Sequence, residues 1–290
     1  MSRKVDQMPM PAEVLPMKVI VASPSRCGNV DSSHGQCESW VTRHTISMNV
    51  LPSMVYPIWK SAREAITAQY NRLSGVKKYN RADYDKWLGE YDCLVEIPSM
   101  IGPDLIEAYI DDPDVKFILT ERNPDKWVTS VNNTVGLVID MPYQFPFSIL
   151  KYFDATLYRF LAMNELVYQA MSGCTRPGDA ENAQNLRQHY TDYIKKVKEI
   201  IPADKLCYIR LEDGLDWENI CPFLGVPIPE EAYPGRNEPE KFQKLVQEFL
   251  RPKMMAAVMR ISAVAVPAIG ILGWAAVEYG PSALAELKRL

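Results

Sequence analysis

Short runs of consecutive apolar residues alternate along this chain with segments whose apolar positions recur at helical spacing. The runs are residues 19–22 (VIVA), 93–96 (CLVE), 115–120 (VKFILT) and 206–209 (LCYI). Uninterrupted apolar runs of this length suit strands that are covered on both faces, as in a parallel sheet. Between them, residues 83–89 are short and amphipathic, and 104–109 opens with an acidic residue after Pro103. Residues 124–138 begin with proline at a first-turn position, where its missing amide costs nothing. Residues 182–200 and 217–224 carry further helical patterns. Strands alternating with helices predict an α/β fold of three layers, a parallel sheet with flanking helices.

Two stretches depart from this rhythm. Residues 142–171 are aromatic and mostly helical in pattern, and they fit either plain packing or the wall of an acceptor pocket. Residues 261–277 (ISAVAVPAIGILGWAAV) are apolar and uncharged, bounded by Arg260 and Glu278, and with residues 254–259 they approach the length of a bilayer crossing. Arg251, Lys253 and Arg260 precede them, which favours a single pass with the main domain on the cytosolic side. A buried C-terminal helix kinked at Pro267 is the alternative. The expected organisation is therefore a loose lead-in over 1–16, an α/β domain over 17–250, and a membrane-anchor helix with a short tail over 251–290.

Composition narrows the chemistry. The chain has 290 residues, 47% of them hydrophobic, enough for one large core. Its formal charge of -4 is mild and gives no footprint for nucleic acid. Six cysteines without C-x-x-C spacing and only three histidines argue against a disulfide scaffold or a metal site, and the bland reading is reduced thiols in the cytosol. No secretory signal is expected from the N-terminal residues, which lack a long apolar run.

The candidate chemistry begins where the first strand ends. Ser23-Pro24-Ser25-Arg26-Cys27-Gly28 is a tight, hydroxyl-rich loop that can hold a phosphate through loop amides, the hydroxyls of Ser23 and Ser25, and the charge of Arg26. It lacks the lysine followed by serine or threonine of a nucleotide-hydrolysing loop. Farther on, Arg122 stands where the 115–120 strand ends, the place where open parallel sheets bind ligands, and Ser130 follows on the next helix. The alternative for that pair is ordinary capping and salt bridging.

These elements resemble the sulfotransferase superfamily. The first loop is similar to its 5'-phosphosulfate loop, with Arg26 where many members carry lysine. Arg122 and Ser130 match the spacing of its 3'-phosphate motif. More closely, "GEYDCLVEIPS", "VKFILTERNPDKWVTSV" and "LEDGLDWENICPFLGVPIPEEAYPGRNE" resemble a fungal and bacterial sulfotransferase-like branch, some of whose fungal members have a hydrophobic C-terminus. The resemblance implies a P-loop NTPase-like fold and 3'-phosphoadenosine-5'-phosphosulfate as sulfuryl donor, with a small-molecule hydroxyl or amine as acceptor. It places Ser23, Ser25, Arg26, Gly28, Arg122, Ser130 and Arg236, with Asn237 beside it, on the donor side. Glu96, after the second apolar run, is the best-placed carboxylate for the general base, local capping being its alternative.

The resemblance fails over residues 29–62. Asp31, Ser32, Ser33, His34 and Gly35 disfavour a helix, and Pro52 and Pro57 are expected to interrupt one. A shifted reading frame accounts for both edges. One alternative frame is closed, because Met48-Asn49 forces a stop codon. In the other, the code must read glycine across Trp40-Val41 and Met54-Val55, and glutamate across Met48-Asn49 and Trp59-Lys60. Permitted codons there spell an amphipathic helix and a histidine-containing turn, as the branch has after its loop. The chain as written would then lack the helix-start amides behind Gly28 and bind the nucleotide weakly or not at all. The leading expectation is a membrane-tethered sulfotransferase-like protein. Its rival is a nonenzymatic relative that keeps the fold for binding or scaffolding.

Overall fold

The computed structural model describes residues 3–27, 44–47, 56–70, 75–230, 233 and 239–287. Among them, strands β1 (Val19–Val21), β2 (Thr45–Ser47), β3 (Cys93–Val95), β4 (Lys116–Glu121) and β5 (Leu206–Arg210) form one sheet in the order β2-β3-β1-β4-β5. Every neighbouring pair is parallel, with Val21 opposite Val95 on one side and Ile118 on the other. The expected parallel α/β architecture is therefore present, and the four apolar runs supply β1, β3, β4 and β5. β2 was not anticipated, since its sequence TIS carries no apolar run.

Alternation along the strands sorts the core onto two faces. Ile20, Leu94, Phe117 and Leu119 pack with helices α1 (Tyr56–Tyr70), α2 (Arg81–Leu88), α3 (Ile97–Ile101), α4 (Pro103–Tyr109), α5 (Pro124–Asn132), α8 (Ala155–Ser172) and α9 (Asn182–Ile200). Val19, Val21, Cys93, Val95, Ile118, Cys207 and Ile209 face the other way, onto α10 (Trp217–Leu224). Side chains at successive strand positions must point to opposite faces, so fully apolar strands give a three-layer structure. Two short helices, α6 (Val135–Val138) and α7 (Phe147–Leu150), lie between α5 and α8.

Several expectations are corrected here. The segment 124–138 is two helices, broken at Asn133 and Thr134. Pro57 does not interrupt a helix. It stands in the first turn of α1, where no amide is needed, and the same helix buries Trp59 and Ala62. The lead-in is docked, not loose. Val5 is fully buried, Arg3 pairs with Asp83 at 2.7 Å, and the Glu64 carboxylate accepts hydrogen bonds from the amides of Lys4 and Val5.

Helix α9 carries one group with a clear pH signature. The His189 ring lies 5.5 Å from Tyr70 on α1, and burial lowers its pKa to about 4 against a weaker opposing pull from Asp192. A folded-state pKa below the unfolded value of about 6.5 means that this contribution is whole above pH ~6.5 and is lost as pH falls toward ~4. A wholly buried ring at that pKa would contribute roughly 3 kcal/mol. Because part of the ring reaches solvent, about 2 kcal/mol is expected. Urea midpoints between pH 7 and pH 4 should therefore fall less steeply in His189→Phe than in the parent. Parallel curves would remove His189 as the cause.

The last element, α11 (Pro239–Leu287), is one helix. Its Val246, Phe249, Leu250, Met254, Ala257 and Ile261 pack with α6, α7 and α8, around Val138, Leu150, Leu157 and Leu161. Arg260 closes the contact, donating to the Asp154 carboxylate and the Phe153 carbonyl, both at 2.7 Å. Beyond Ile261 the helix leaves the domain, and Val264, Ile269, Leu272 and Trp274 are 61–69% exposed. Within this chain, the described part of the helix beyond Ile261 is therefore not buried against the domain. One apolar helix at the C-terminus has the length and composition to span a membrane.

Candidate active site

The strand order reverses about β1, so the carboxyl ends of β1, β3 and β4 open on one crevice, where ligands bind in folds of this kind. Residues 23–27 follow β1, Glu96 follows β3, and Arg122 follows β4.

The loop after β1 is held from inside. The Thr120 amide donates to Ser23 Oγ at 2.7 Å, Thr120 Oγ1 donates to the Cys27 carbonyl at 2.6 Å, and Tyr193 donates to the Ala22 carbonyl at 2.7 Å. Trp127 Nε1 donates to the Ser25 carbonyl at 2.9 Å, and the indole stacks on Tyr190 with ring centres 4.6 Å apart. Tyr190 in turn accepts from the Arg122 amide and donates to its carbonyl, at 2.9 and 3.1 Å. Two tyrosines and one tryptophan thus position the end of β4 and the loop together.

Within that frame three candidate residues converge. Arg26 has a left-handed backbone, φ 72°, which a non-glycine residue adopts at a cost of about 1–2 kcal/mol. In this conformation its Nε donates to Ser130 Oγ at 3.2 Å, and its carbonyl accepts from Arg122 Nη1 at 2.8 Å. Burial lowers the Arg26 pKa from its usual range. The Glu96 carboxylate opposes that, and the neighbouring Arg122 charge adds to it. An arginine does not give up its proton under such stress, so both guanidinium groups stay cationic, with Glu96 as the opposing charge nearby. Arg122 Nε is buried and meets no hydrogen-bond partner among the described residues. A buried donor without a partner costs about 1–3 kcal/mol, and beside a second guanidinium it is a natural contact for an anion.

Glu96 is the carboxylate whose charge bears on Arg26. It caps α3 with a left-handed backbone, φ 63°, and its carbonyl accepts from the Ser99 amide and hydroxyl at 3.2 and 2.7 Å. Strained backbone of this kind gathers at functional sites, and here it turns the residue off the end of β3.

The other candidates fall differently. Ser23 is fully buried, its hydroxyl spent on the Thr120 amide and turned toward the Ile118 carbonyl 3.5 Å away, so it shapes the loop. In this structure its hydroxyl thus faces the strand ends of the sheet. Ser25 is partly exposed on the loop. Gly28, Arg236 and Asn237 lie outside the described residues, as does the segment directly behind Gly28. The α5 amides of Asp125 and Lys126 are already taken by the Asn123 side chain, at 3.0 and 3.1 Å, so that helix start offers little to an anion. Burial pushes the Cys27 thiol up to about 12, which makes it a packing group. Sequence reasoning missed Thr120, Trp127, Tyr190 and Tyr193. The last two lie on the buried stripe of α9 with Leu186, Ile194 and Val197, where a tyrosine reads as core.

The chain is similar to several known proteins. Residues 18–242 match the family model described as the sulfotransferase domain. The Ava biosynthesis cluster protein M of Aspergillus versicolor is 30% identical over 172 residues, which are 58% of this chain and 63% of that protein. A crystal structure of a sulfotransferase from Alicyclobacillus acidocaldarius aligns over 87% of this chain and 96% of its own, at 14% identity and a TM-score of 0.39. The family match runs from the strand that opens the loop, through Arg26, Glu96, Arg122 and Ser130, to the start of α11, and the chain belongs to the sulfotransferase domain family.

Proposed function

We propose that this protein transfers a sulfuryl group from 3'-phosphoadenosine-5'-phosphosulfate to a hydroxyl or amine of a small molecule, on a domain tethered to a membrane by α11 with its bulk in the cytosol. The observation that carries the reading is the buried, unpartnered Nε of Arg122 beside Arg26 and Ser130. That constellation fits the phosphates of such a donor. Arg122 and Ser130 would hold the 3'-phosphate. Arg26 and the loop amides up to Gly28 would lie against the 5'-phosphate, where negative charge grows on the bridging oxygen as the bond to sulfur breaks. Ser25 would add a hydroxyl to the same group, and Arg236 a further nucleotide contact. Glu96 would take the proton from the acceptor.

A second reading, a nonenzymatic relative, draws support from Arg26. Its Nε is spent on Ser130, an arrangement that stabilises the loop without any ligand. The frame reading bears on both. We hold residues 29–62 to be translated out of frame, so transfer is to be sought in a frame-restored chain beside the chain as written. Labelled-sulfate transfer into small-molecule extracts should appear with the restored chain. In it, Glu96→Gln should lower transfer by about 10²–10⁴-fold while leaving affinity for the 3',5'-bisphosphate product within about twofold. Tight bisphosphate binding without transfer would favour the nonenzymatic reading, and transcripts that keep the present frame intact would end the frame reading.

A further inference from the structure

At the root of α11 the domain carries a cavity of about 720 Å³, separate in its residues from the crevice above the sheet. Its wall brings together six cations, Lys4, Lys60, Arg63, Lys151, Arg159 and Arg260, from five different segments of the chain. Among the described residues no carboxylate lines it, although the chain as a whole has a net charge of -4. Asp154 lies beneath, spent on capping α8 and on Arg260. Glu64 is engaged by the amides of Lys4 and Val5 and by Tyr79. Arg63 Nε is buried with no hydrogen-bond partner among the described residues, and its guanidinium lies 4.9 Å from the centre of the Trp59 ring. The rest of the wall is aromatic, with Tyr152 and Tyr158 72% and 42% exposed.

Arg260 belongs both to this cavity and to α11, where the next residue, Ile261, begins the apolar run. Cations with long apolar stems and amphipathic rings are the groups that settle at the headgroup level of a bilayer. We infer that the cavity binds the headgroup of an anionic phospholipid in the membrane that α11 enters, seating the domain on the lipid surface. This rests on reading α11 as a membrane span. A phosphodiester with a further negative group meets the unpartnered Arg63 donor and the surrounding lysines, while the exposed rings lie among the upper acyl chains.

The test uses the full chain in nanodiscs of phosphatidylcholine alone or of phosphatidylcholine with phosphatidylserine, read by amide exchange over residues 145–165. Phosphatidylserine should slow exchange there by about fivefold or more. Lys4→Gln/Lys60→Gln and, separately, Lys151→Gln should each lose most of that slowing while keeping the parent urea midpoint. Lys195→Gln/Lys196→Gln on α9, which removes equal charge elsewhere, should keep it. Equal exchange in both discs overturns the headgroup site and leaves the span standing. Failure of the chain to enter discs of either kind overturns the span and the site together. Equal slowing by inorganic phosphate in plain phosphatidylcholine discs, or equal loss in the Lys195/Lys196 variant, also overturns it.

Discussion

Trp127→Ala lowers folding stability by about 3–5 kcal/mol and releases the phosphate loop. The indole is 1% exposed and fills the space between the loop and Tyr190, so truncation leaves a cavity that rigid neighbours on α9 and β4 cannot close. It also strands the Ser25 carbonyl, which takes its hydrogen bond from Nε1. Trp127→Phe separates the two effects. It restores most of the stacking and leaves only the lost hydrogen bond, a cost of about 1–2 kcal/mol. Chemical denaturation measures both, and Trp127 is refuted as the loop's brace if alanine costs less than about 1 kcal/mol.

Arg122→Gln should weaken binding of the 3',5'-bisphosphate by about 100-fold, the largest effect expected of any donor-side residue. A charge-assisted hydrogen bond is worth about 1.5–3 kcal/mol, and Arg122 brings to the crevice a buried donor with nothing else to satisfy it. Arg122→Lys keeps the charge and loses the planar fork, so an intermediate loss of about tenfold is expected. Ser130→Ala removes one acceptor from Arg26 and, on the proposed donor assignment, one contact to the phosphate, for an expected loss of roughly fivefold. The opposite trend is expected for stability. Removing Arg122 relieves Arg26 of a neighbouring like charge and removes an unsatisfied group, so the denaturation midpoint should hold steady or rise. Calorimetry at fixed salt on the frame-restored chain, for which measurable binding is expected, decides the ordering. Full binding by Arg122→Gln would end the donor assignment.

The strands of the sheet centre were legible because both their faces are covered, and continuous runs such as VKFILT have few other uses. Helices 182–200 and 217–224 were equally plain, the second bounded by Asp216 as its cap and by Gly225 in a left-handed turn, φ 77°. What stayed hidden depends on contacts between distant residues. Tyr190 looks like any apolar-face tyrosine until the strand end comes within reach of its hydroxyl. Ser23 looks like a phosphate contact, and only the parallel register sets the Thr120 amide against its hydroxyl. Arg122 and Ser130 were visible as a spacing, but Arg26 bridging them follows from a left-handed backbone that no local pattern announces. The docked lead-in was missed for the same reason, since Arg3 finds Asp83 only in the fold.

The helix that packs on α8 and the apolar run that leaves the domain are the same helix, Pro239–Leu287, with no joint between them. At 1.5 Å per residue its 49 residues reach about 74 Å, and the first half is clamped to the domain through Ile261 and the Arg260–Asp154 pair. A flexible tether would let the crevice sweep a hemisphere above the lipid. If α11 spans a membrane as proposed, one continuous helix would hold the crevice within a narrower range of heights and tilts, with Pro252 and Pro267 as its weak points. Acceptors would then be selected by where they present their hydroxyl or amine above the bilayer as well as by the shape of the pocket.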